Sequence, residues 1–113
     1  MAKHLYVAYF TGISGSNLGM FLIGDGVIAG ADGGGLKYDG LVEHAADGAL
    51  EGIVQFIVPA GTQLISGMKA DVDQTLNVHV RLPLGFDDGK KVTRIDTPAG
   101  PINARFEHLR EVP

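Results

Sequence analysis

Glycine punctuation limits this chain more than any other feature. Between Gly19 and Gly40, short apolar runs alternate with Asp-Gly and Gly-Gly-Gly steps. Residues 20–23 (Met-Phe-Leu-Ile) read as a strand, 24–26 (Gly-Asp-Gly) as a turn and 27–31 as a second strand. Residues 32–35 form the next turn, and Leu36 opens a third strand that runs through Tyr38, Gly40 and Val42 to about His44. Glycine reaches positive φ without a Cβ penalty, so Asp-Gly between apolar runs is a strong hairpin signal. The chain holds 17 glycines, which suits tight turns and bent strands rather than helices.

The same grammar continues on both sides. Residues 4–10 read as a strand with Leu5, Val7 and Tyr9 on one face and Tyr6, Ala8 and Phe10 on the other, so both faces are apolar. Residues 11–17 read as a loop. Asp47-Gly48 reads as a hairpin turn, because Gly48 breaks the short helix-like stretch around it. Residues 50–58 follow as a strand, stopped by Pro59. Residues 62–73 read as a crossing segment with one short strand around 64–67. Residues 74–82 show a period of two, with Leu76, Val78, Val80 and Leu82 opposing Asn77, His79 and Arg81. Residues 92–96 and 102–109 make the last hairpin, across 97–101. Seven or eight short strands at intervals of ~8–12 residues point to a sandwich or a barrel. The preferred reading is an all-β, up-and-down antiparallel β-barrel spanning residues 1–113 as one domain, because hairpin follows hairpin and closure removes exposed edges. Its interior is either filled by side chains or holds one small ligand.

Several function classes recede on these grounds. Without cysteine there is no disulfide scaffold, thiolate zinc site or cysteine nucleophile. No apolar run approaches the ~18 residues that span a bilayer, and the opening residues lead straight into a strand, so a cytoplasmic protein with no membrane partner is expected. The net charge is −4 with basic residues scattered singly apart from Lys90-Lys91, which disfavours direct nucleic-acid binding. The Gly24–Gly35 stretch is not a phosphate loop, since Leu36 continues as strand rather than helix. As a lone copy it is not a calcium-binding repeat either. Ser14, Ser16 and Ser66 lie in glycine-flanked loops, none in a nucleophile elbow. Asp71, Asp73, Asp87 and Asp88 read as loop acids that keep turns soluble. His4, His44, His79 and His108 are dispersed, and no metal or other cofactor is expected. His79 falls on a polar face. His108 continues the inward register of Ile102, Ala104 and Phe106, at the strand's end, which makes it a candidate residue of the cavity rim.

The pattern Gly19-x-x-x-x-Gly24-x-Gly26-x-Ile28-x-Gly30-x-Asp32, followed by Tyr38-x-Gly40, resembles the GrlR-type negative regulators of type III secretion. Val58-Pro59-Ala60-Gly61 and the run from Gly100 to Phe106 are similar to segments of that family's uncharacterised bacterial relatives. The likeness covers most of the chain and is closest in the glycine-turn region. It implies a lipocalin-like barrel that forms a homodimer and acts by binding a protein partner, in the type member a transcriptional activator. In that family an acidic loop after the Tyr-x-Gly strand recognises the partner. The matching positions are His44, Ala45, Ala46 and Asp47, of which Asp47 alone is acidic and is the implied partner-binding residue. The leading expectation is thus a non-enzymatic regulator. The alternatives are a carrier of a small apolar ligand in the barrel interior and, third, an enzyme built on His108 or His4.

Overall fold

The computed structural model describes residues 2–113; Met1 lies outside the described residues. Eight strands follow one another: β1 (Lys3–Gly12), β2 (Gly15–Gly24), β3 (Val27–Asp32), β4 (Lys37–His44), β5 (Leu50–Val58), β6 (Gln74–Leu82), β7 (Thr93–Thr97) and β8 (Gly100–Val112). They form one antiparallel sheet in the order β6-β5-β4-β3-β2-β1-β8-β7. Six consecutive strands meander, and β8 then returns to pair with β1 and carries β7 on its other side. Strands β6 and β7 come together at the last seam without a hydrogen-bonded ladder. The result is a small up-and-down barrel, nearly closed.

Alternation builds the interior. In β5, Val54, Phe56 and Val58 are buried while Ile53, Gln55 and Ile57 face out, and β6 buries Val78, Val80 and Leu82 against Asn77, His79 and Arg81. The barrel axis is occupied by rings. Phe21 lies 5.8 Å from Phe10, 5.0 Å from Tyr38 and 5.7 Å from Phe106, and Tyr38 is 4.8 Å from Phe56, centroid to centroid. These spacings and their tilted or edge-on planes are the arrangement that aromatic quadrupoles favour. Gly30 makes the room: a Cβ there would stand 2.5 Å from the Phe21 ring and 2.6 Å from the Met20 carbonyl oxygen. At the β2–β3 turn, Gly24 pairs with Val27 and leaves Asp25 (φ 53°) and Gly26 (φ 78°) as a two-residue hairpin loop. Positive φ at both positions is what such a primed turn requires.

Three local expectations are corrected. Residues 11–17 are not a loop: Thr11 pairs with Ser16 and Phe10 with Asn17, so β1 and β2 run on to a two-residue turn at Ile13-Ser14. Polar residues hold strand there because the ladder itself satisfies the backbone, and the Ser14 N–H donates to the Ile65 carbonyl (2.8 Å). Residues 64–67 are not a strand. They form a turn in which the Leu64 N–H donates to the Met68 carbonyl (2.8 Å) beside an isolated Gln63–Lys69 bridge. The last strand is longer than residues 102–109, because pairing with β1 extends its ladder to Val112.

Candidate functional site at the barrel mouth

Strand direction sorts the connections into two ends. One end carries the β1–β2, β3–β4 and β7–β8 turns and the long β5–β6 loop, and it is closed. That loop folds over the barrel with Leu64 and Ala70 buried, held by Gly61 N–H to Ala70 C=O (2.7 Å). Beneath it lies a cavity of about 40 Å³ bordered by Asn17, Asp32, Tyr38 and Leu64, room for a few waters but not for a ligand. Asp32 organises this end. Its Oδ1 accepts from the N–H groups of Gly34 (2.9 Å) and Leu36 (3.1 Å), and its Oδ2 accepts from the Tyr38 hydroxyl at 2.6 Å. Burial first, then the bond to Asp32, holds the Tyr38 phenol far above its ordinary pKa. The glycine run at 33–35 is therefore a turn wrapped around a carboxylate.

The other end is open. Here the start of β1, the β2–β3 and β4–β5 turns and the β6–β7 connection surround a hollow of about 350 Å³. Tyr6, Ile23 and Phe86 form its apolar floor, and His4, Glu43 and Asp87 stand among its polar walls. Its volume falls in the lower range of small-molecule sites.

Two sequence features place histidines at this mouth. Tyr6, Ala8 and Phe10 fix the inward face of β1, and His4 extends it. In β8 the inward row Ile102, Ala104, Phe106 reaches His108, opposite Tyr6. The next step is a bulge: Tyr6 pairs with His108 but Leu5 with Arg110, which leaves Leu109 as the extra residue. His4 Nδ1 and His108 Nε2 then meet at 2.9 Å, with ring centroids 5.0 Å apart. The Tyr6 ring packs edge-on to His108 at 5.4 Å, and the His108 N–H donates to the Asp87 carbonyl (3.2 Å). Burial, and next the Asp87 charge, raise the Tyr6 phenol above its ordinary pKa. His108 is exposed and His4 half-buried. The inward register of His108 is visible in the sequence. His4, named with His108 in the enzyme reading, shares the inward face through its alternation with Tyr6, and the contact between the two rings is what the sequence does not show.

Asp47 stands at the tip of the β4–β5 hairpin, which borders the same mouth. Its Oδ1 accepts from the Ala49 N–H (3.1 Å), and its Oδ2 is paired with Arg81, which also reaches Glu51 at 3.3 Å. The Ala49 N–H and the Arg81 charge hold its carboxyl below the usual range. The carboxylate is exposed yet already engaged on the barrel wall.

The outer wall is two-sided. Register lines up Leu5, Leu22 and Ala29 in one row across β1, β2 and β3, and Val7, Met20 and Ala31 in the next. Tyr9 and Leu18 make a third row. Tyr9, Leu18 and Met20 remain exposed, with the Arg105 guanidinium 4.2 Å over the Tyr9 ring. Strand β6 instead turns Thr75, Asn77, His79 and Arg81 outward. No helix of the described residues is long and apolar enough to cross a membrane. No family model, curated protein or solved structure matches this chain.

Proposed function

We propose that this barrel is a non-enzymatic binding protein that works through its outer wall, with a protein surface as its partner and a second copy of the chain as the first such surface. The observation that supports the reading is the apolar field, three rows deep on β1 and β2 and two on β3, with charged residues at its edges. The row through Leu5 and Leu22 ends in Arg110 on β8 and Asp39 on β4, and the row through Val7 and Met20 ends in Glu107 and Lys37. An apolar centre with a polar rim is the anatomy of a protein interface. The two rows end in opposite order of charge, so a twofold axis along β2 brings unlike charges to the same rim and favours encounter. The ring-filled axis supports the same reading, since it leaves the outer wall and the mouth as the apolar surfaces on offer. The resemblance to a dimeric regulator family points the same way, and there Asp47 belongs to the partner surface at the hairpin tip.

Sedimentation velocity across the micromolar range tests this. The wild-type chain is expected to sediment as a dimer. The Leu18→Glu/Met20→Glu variant is expected to be a monomer with an unchanged circular dichroism spectrum. A wild-type monomer at every concentration overturns the reading.

The mouth hollow favours a second reading, a small apolar ligand seated on Tyr6, Ile23 and Phe86. Titration with a neutral apolar fluorophore is expected to saturate at one per chain. Absence of saturable binding removes this reading.

A further inference from the structure

The reading above leaves the two imidazoles of the mouth without a task. Their rings reach the core only through Tyr6, and His4 Nδ1 and His108 Nε2 bond to each other. An imidazole nitrogen binds a late first-row divalent ion at ~2.0–2.1 Å, so two such ligands at a right angle stand ~2.9 Å apart. His4 Nδ1 and His108 Nε2 are separated by 2.9 Å. The spacing is built rather than incidental. The bulge at Leu109 turns Arg110 outward opposite Leu5, brings Glu111 opposite His4 and keeps His108 opposite Tyr6. The Tyr6 ring and the Asp87 carbonyl then hold His108 from two sides.

We propose that His4 and His108 form a two-histidine binding site for a divalent transition ion of octahedral or tetragonal preference, such as Ni²⁺. The ion sits off the line between the nitrogens, and each ring turns its lone pair toward it. In the hydrogen-bonded pair one of the facing nitrogens carries the proton. That proton passes through water to the other nitrogen of the same ring, so both facing nitrogens become ligands with no net release from the neutral pair. Among the described residues no group of three metal-ligating side chains converges, so water fills the remaining positions. Glu43 and Asp87 in the hollow's wall supply a negative field that draws a cation inward.

Isothermal titration of the purified chain with Ni²⁺ at pH 7.5 tests the site, with Mg²⁺ as control. One Ni²⁺ per chain and no Mg²⁺ binding are expected. His4→Gln and His108→Gln should each weaken Ni²⁺ binding about tenfold or more, while His44→Gln and His79→Gln leave it unchanged. An ion held by His4 and the backbone preceding it would survive His108→Gln, and that result overturns the site. So does the absence of saturable binding at millimolar Ni²⁺. Sedimentation of the same variants separates this site from the proposed interface: loss of the metal with the dimer intact concerns the mouth alone.

Discussion

Asp32 and Tyr38 show how one side-chain pair can shape a turn. The carboxylate gathers the backbone N–H groups of Gly34 and Leu36 and one phenol from the next strand, so β3 and β4 are joined by more than their ladder. Tyr38→Phe removes the phenol donor and is expected to lower stability by about 1.5–3 kcal/mol in a denaturant titration. Because the folded pKa of Tyr38 is raised, the stability it contributes is present below its unfolded value near pH 10 and is lost as pH rises beyond that. Tyr38→Phe should therefore also flatten the alkaline limb of the stability profile. Asp88 works in the opposite sense. The N–H of Lys91, its ammonium and the N–H of Lys90 hold the Asp88 carboxyl far below the usual range. Its contribution is present above its unfolded value near pH 4 and fades as pH falls. Asp88→Asn is expected to reduce the slope of acid unfolding below pH 4, measured by circular dichroism, while leaving the alkaline limb untouched.

Among the strands, what could be read beforehand depended on where each one finds its partner. Strands β5 and β6 announce themselves through strict alternation, because each has one face on the core and one in solvent. Glycine turns located the β2–β3 and β3–β4 reversals for the same local reason. The ends of β1 and β2 were not legible, since Thr11, Ser16 and Asn17 look like loop residues. They are strand because of a neighbour 51 residues away from Ser14, the Ile65 carbonyl under which the turn is tucked, together with the ladder itself. The candidate site divides in the same way. The inward position of His108 follows from alternation within β8. Its contact with His4, 104 residues distant, depends on β8 closing against β1 and on a bulge that no single strand reveals. Gly30 offers a test at this scale. Gly30→Ala places a Cβ against the Phe21 ring and the Met20 carbonyl, and overpacking of this kind is expected to destabilise by about 1–3 kcal/mol in thermal or denaturant unfolding.

Across the whole molecule, two features set the behaviour of the barrel. The first is the unzipped seam. Strands β6 and β7 lie close together without a ladder, so amides on their facing edges are expected to exchange with deuterium faster than those of β1, β2 and β5. Equal protection on both sides of the seam would show a fully closed ring. The second is the division of labour between centre and wall. Phe10, Phe21, Tyr38, Phe56 and Phe106 fill the axis, and the apolar field of β1, β2 and β3 faces outward. A solid centre of this kind is the premise of the proposed binding at the wall and the mouth. Ring-to-ring nuclear Overhauser contacts in the purified chain measure it directly. Cross-peaks joining Phe21 to Phe10, Tyr38 and Phe106, unchanged when an apolar fluorophore is added, are the expected result. Missing contacts among these rings, or rings displaced by a molecule lying along the axis, would contradict it.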